Sequence, residues 1–172
     1  LLRPVIDVAE ELTGATYGDK ASHEDNIRFR VVADHSRTGM MLILDGVTPG
    51  NEGRGYILRR LMRRAIRSMR LLGVDGPTFA TLFAASRDAM KDAYPVVADE
   101  YERLSAYALA EEATFLRTLA AGSENLDASI AAAKDAGATQ IGGAEASAAA
   151  QAEAATGLLG RATAPPVRDL AQ

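Results

Sequence analysis

A chain of 172 residues, 48% hydrophobic and with a net charge of −4, is long enough to bury one core, or one core with an appendage, since domains commonly hold roughly 100 to 200 residues. Cysteine is absent, which excludes disulfides, thiolate metal sites and a cysteine nucleophile, and leaves the cytoplasm as the plain expectation. No apolar run approaches the roughly 20 residues that span a bilayer, and Leu1-Leu2-Arg3-Pro4 lacks the apolar core of a signal peptide, so no membrane partner is expected.

Aromatics make up 5% of the chain, Trp is absent and Ala is abundant, which favours close-packed helices over sheets built from large β-formers. The predicted fold class is all-α: a helical bundle with one basic helix over residues 1–137, followed by an alanine-rich helical tail over 138–172. The chain opens at Leu1 without Met, directly on a helix pattern, as a piece of something longer would.

Pro4 to Thr13 carries Val5, Ile6, Val8, Ala9 and Leu12 with acids between them, an amphipathic helix that Gly14 stops. Ser22 followed by Asp25 has the form of a capping box, so a long helix is predicted from there to Gly46. Its apolar stripe is read as Ile27, Val31, Val32, His35, Gly39, Leu42 and Ile43. Gly46 to Gly55 is a loop by composition. From Tyr56 to Leu72 the pattern is helical again, with Leu58, Leu61, Met62, Ala65, Met69 and Leu72 on one side and arginines filling the other; Gly73 ends it. A helix from about Thr78 to Ala93 follows the Gly76-Pro77 turn, with Pro95 as punctuation. Val97 to Ala121 reads as one helix closed by Gly122, and Ser123 as the cap of another running to about Ala136. No internal repeat and no sustained heptad is present.

Charge is unevenly spread. No acid lies between Glu52 and Asp75, whereas seven arginines lie from Arg54 to Arg70. Guanidinium groups pair bidentately with phosphate oxygens and release condensed counterions on doing so. The same pattern also fits a solvated face paired to acids such as Glu100, Glu111 or Glu112. In the loop Gly50-Asn51-Glu52-Gly53-Arg54-Gly55, glycines allow close backbone approach to a ligand, and the helix N-terminus behind it could cradle phosphate. The lysine-serine ending of a P-loop is missing. Asn51 offers an amide that can read a base edge or cap the following helix. His23 and His35 have no partners at metal-ligand spacing, and no nucleophile elbow or triad is present. No catalytic residue and no metal ligand is expected.

Arg30-Val-Val-Ala-Asp-His-Ser-Arg-Thr, followed by Asp45-Gly-Val-Thr-Pro-Gly-Asn-Glu-Gly-Arg-Gly-Tyr-Ile-Leu-Arg-Arg, resembles alanyl-tRNA synthetases, and the resemblance extends from Leu1 to about Gly143. It implies a helical domain that follows a class II catalytic core and binds the acceptor stem of alanine tRNA. Asn51 resembles the family residue that approaches the G·U wobble pair, and the helix from Arg59 to Arg70 would lie along the stem. The expected tRNA-binding residues are thus Asn51, Arg54, Arg59, Arg60, Arg63, Arg64, Arg67 and Arg70. In the family the segments that bind ATP, Mg and alanine precede this region, so no cofactor is expected in this chain and it should not activate alanine alone. The family's His-Asp-Thr-Tyr-Gly-Phe-Pro segment and the Asp beyond it, the second half of the recognition clamp, are replaced here by alanine-rich sequence. Two further readings stand beside the tRNA-binding domain: a subunit completed by a separate catalytic chain, and a scaffold whose arginine face meets an acidic protein.

Overall fold

The structure is a computed structural model and describes residues 2–135. Among them every regular element is a helix: α1 (Arg3–Thr13), α2 (His23–Leu44), α3 (Gly53–Leu71), α4 (Phe79–Met90), α5 (Val96–Asp99) and α6 (Tyr101–Asp135). The all-α fold expected from composition is what the described residues adopt. The chain divides into two compact units, Leu1–Arg117 and a second beginning at Thr118. The expected boundary at 137 and the tail over 138–172 lie outside the described residues.

Local signals explain the first two helices. Pro4 sits in the first turn of α1, where its missing N–H is not needed, and Gly14 closes the helix at φ 67° with its N–H donated to Glu10 O. The Ser22 hydroxyl accepts from the Asp25 backbone N–H at 3.0 Å, so the predicted cap stands and α2 begins at the next residue.

The core of the first unit lies among α1 to α4 and the Tyr101–Arg117 part of α6. All four phenylalanines, Phe29, Phe79, Phe83 and Phe115, are fully buried, which suits a chain with few aromatics, because each ring removes about 150–250 Å² from water. Gly39 faces α3 with Met62 Cγ 3.5 Å and Leu58 Cδ1 3.7 Å from where a Cβ would stand, ordinary van der Waals distances at the α2–α3 interface.

Four expectations need correction. The buried stripe of α2 is Phe29, Val32, Ala33, Ser36, Gly39, Met40 and Ile43, while Ile27 is exposed; α2 packs against α1, α3 and α4, which selects a face rotated from the one the apolar spacing suggests. α3 begins at Gly53, three residues ahead of the expected Tyr56, because Gly53 takes φ +54° and carries the chain from the loop into the helix. α4 ends at Met90, short of the expected Ala93, with Lys91–Ala93 in turns and Tyr94 N–H donating back to Met90 O at 2.8 Å. The last correction concerns Gly122, which ends nothing: α6 is continuous from Tyr101 to Asp135. A glycine inside a helix costs about 1 kcal/mol relative to Ala but does not stop it unless a positive φ is taken, and Gly122 takes none. The break falls instead at Glu100, between α5 and α6.

Candidate nucleic-acid interface

The loop ahead of α3 is folded against the helix's own first turn. Gly50 N–H donates to Gly55 O at 3.1 Å, and a Cβ on Gly55 would stand 2.6 Å from Thr48 O, so only glycine fits there without moving backbone. An open cavity of about 530 Å³ lies between the Asp45–Thr48 turn and the Gly50–Gly55 segment that leads into α3. Asp45 and Glu52 line it together with Asn51 and Arg54. Two carboxylates in so small a space disfavour a phosphate there, despite the helix N-terminus.

Asn51 is exposed and does not cap α3. The N-cap residue is Glu52, without a side-chain cap bond, and Asn51 Oδ1 instead accepts from Nη1 of Arg59. Guanidinium nitrogens only donate, so the amide is held by its oxygen and its Nδ2 is the free end.

The seven arginines, six of which a helical wheel places on one face, separate into groups. Arg63 is buried, 2% exposed, among the apolar residues of α3. Its Nε donates to Glu111 Oε1 at 2.6 Å, its guanidinium lies 5.0 Å from the Phe115 ring centroid, and its Nη1 has no hydrogen-bond partner. Burial pushes the Arg63 guanidinium below its ordinary value, and the Glu111 carboxylate pulls it back up; an arginine remains a cation at neutral pH either way. Arg59 shares the same carboxylate, with Nε 3.2 Å from Glu111 Oε2. Arg70 turns to Asp75, with 3.4 Å between Nη2 and Oδ1, and to the Asp75 carbonyl. Arg54, Arg60, Arg64 and Arg67 are exposed and carry no ion pair among the described residues. The structure thus keeps Arg60, Arg64 and Arg67 together on one solvent-facing strip of α3 and withdraws Arg63 from it.

Sequence reasoning names Glu111 only as an alternative partner for the stripe and misses that it binds two arginines at once. Its neighbour Glu112, 1% exposed, does different work. Its carboxylate accepts from the Thr78 N–H at 2.8 Å and the Phe79 N–H at 3.1 Å, and from the Thr78 hydroxyl, capping α4 from another helix and complementing its dipole. Nothing in the local sequence of α4 signals that cap. His35 Nδ1 lies 2.9 Å from Asp34 Oδ2. Among the described residues no cluster of His, Cys, Asp or Glu could hold a metal, and no helix is long and apolar enough to cross a membrane.

The loop and basic helix occur in a known class of proteins. The family model for tRNA synthetases class II (A) matches residues 1–149. The chain is 58% identical over 142 residues to an alanine–tRNA ligase from Clavibacter michiganensis subsp. michiganensis, covering 83% of this chain and 16% of the relative. With the alanine–tRNA ligase of Corynebacterium diphtheriae the identity is 65% over 124 residues, 72% of this chain and 14% of the relative; with that of Corynebacterium efficiens it is 58% over 146 residues, 85% and 16%. The chain belongs to the class II (A) tRNA synthetase family, as an alanyl-tRNA synthetase domain. It spans only 14% to 16% of the length of these curated relatives.

Proposed function

We propose that this domain binds the acceptor stem of alanine tRNA, holding the backbone with the exposed arginines of α3 and reading the stem with Asn51, and so contributes to alanyl-tRNA formation by the ligase to which it belongs. The observation that carries this reading is the strip Arg60, Arg64 and Arg67, exposed and without ion pairs among the described residues, on the helix that Asn51 precedes. Three guanidinium groups at steps of three and four residues present one cationic edge, on a chain whose net charge is −4. A structural role in this fold would have called for partners, as Arg63 has. Arginine on phosphate fixes register without reading sequence, whereas an amide at a groove edge can read it. Asp45 and Glu52 beside Asn51 repel phosphate, which supports a base or ribose edge, and not backbone, as what the loop meets. Mg and ATP belong, on this reading, to segments outside these residues.

The test is binding to acceptor-stem hairpins of alanine tRNA over a range of salt concentrations. Replacing Arg60, Arg64 and Arg67 by Ala should weaken binding to wobble and Watson-Crick stems alike and lower the salt slope by about 0.7–0.9 for each phosphate that is no longer neutralised. Asn51→Ala should lose about 1–3 kcal/mol of discrimination between the stems with a smaller change in general affinity. A triple variant with wild-type affinity and slope would put RNA elsewhere on the chain, or nowhere.

A further inference from the structure

We propose that Glu111 and Arg59 are positioning residues, a two-link relay through which α6 holds the Asn51 amide in its reading orientation. This rests on the assignment of Asn51 as the reading group. Asn51 is exposed on a loop between Gly50 and the first residue of α3, Gly53, so its side chain would rotate freely unless something held it. Arg59, two turns into α3, reaches back and donates to its Oδ1. Arg59 is itself a long, rotamer-rich side chain, and what holds it is Glu111 Oε2 on its Nε. Glu111 is 6% exposed, lies on a helix and has its other oxygen on the buried Arg63, so the carboxylate is anchored from both sides. The order of the amide therefore derives from packed helices and not from the loop. An arginine bound at Nε by a carboxylate and at Nη1 by an amide oxygen is also poorly placed to bind a phosphate, which separates Arg59 from Arg60, Arg64 and Arg67.

The experiment uses the whole chain with Glu111→Gln and Arg59→Met and reads two quantities. The first needs no RNA: ¹⁵N relaxation of the Asn51 side-chain amide, with that of the exposed Asn125 as reference. The relay requires an ordered Asn51 amide in the wild type that becomes as mobile as Asn125 in both variants. An amide that stays equally ordered in folded variants overturns the proposal. The second is discrimination between wobble and Watson-Crick acceptor-stem hairpins. Arg59→Met should reduce it roughly fivefold or more while the salt slope stays at the wild-type value, and should reduce it no further when Asn51 is already Ala. A lowered slope with intact discrimination would make Arg59 a phosphate ligand and overturn the relay. If Glu111→Gln fails to fold because Arg63 is left without its carboxylate, Arg59→Met still decides, since it leaves the Arg63–Glu111 pair intact. If the wild type binds neither hairpin, the assignment of the RNA site fails while the relaxation measurement still judges the relay.

Discussion

Arg63 and Arg64 are neighbours on one helix, identical in chemistry, and the fold treats them oppositely. Arg63 is buried against Glu111 and Phe115, while Arg64 faces solvent without an ion pair among the described residues. The difference is one step of about 100° around α3, and it turns one guanidinium into a structural strut and leaves the other as a free cation. Helical position alone does not make that division, since Arg59, Arg60, Arg63 and Arg67 recur at the same spacings. A carboxylate carried in by α6, 48 residues on, makes it.

The largest expected effect tests the buried side. Arg63→Ala removes a partner from a desolvated pair and should cost about 3–5 kcal/mol in urea unfolding, whereas a loss below about 1 kcal/mol would mean that Arg63 is not held as described. Replacing both members, as Arg63→Met with Glu111→Leu, removes the buried charges together and should recover most of that loss, with Arg59 free to turn to solvent. Next comes the first turn of α3, against which the Asn51 loop folds. Gly55→Ala should destabilise by about 1–3 kcal/mol, because the added carbon meets the Thr48 carbonyl at 2.6 Å; an unchanged melting temperature would show that the loop yields. On the exposed side, Arg64→Ala should leave stability within about 0.5 kcal/mol of wild type, and a larger loss would erase the contrast with Arg63.

The smallest effect concerns a half-buried pair in the first turns of α2. The Ser22 hydroxyl first, and the Arg28 guanidinium second, hold the Asp25 carboxyl below its ordinary value. A carboxyl depressed in the folded state stabilises the fold above its unfolded value, near 3.8, and that contribution fades as the pH falls through the lower folded value. Stability should therefore decline slightly below about pH 4 and decline less in Asp25→Asn, with thermal melts at pH 3 and pH 6 as the measurement. An equal decline in both proteins would assign the acid sensitivity to other carboxylates.

The site is partly legible in the sequence. The run without acids and the glycines around Asn51 mark the segment that becomes α3 and its leading loop, because they are local features. Arg63 escapes that reading for a physical reason: a wheel sorts residues by angle and assumes that charge means solvent, yet a paired and stacked arginine can be buried. Sequence leaves Asn51 between a cap and a reader, and the bond to Arg59, eight residues on, is what separates it from a cap.

Helix identity, and the beginnings of α1 and α2, follow from neighbours in the chain: Pro4 and Gly14, Ser22 and Asp25, and apolar residues at three- and four-residue steps act over one or two turns, and their physics is complete within that span. The α2 face that is buried, the cap on α4 and the withdrawal of Arg63 are decided only when distant helices meet. Each depends on a group arriving from far along the chain, Glu112 reaching Thr78 across 34 residues being the plainest case, and a buried donor or cation takes whichever acceptor the packing brings within reach.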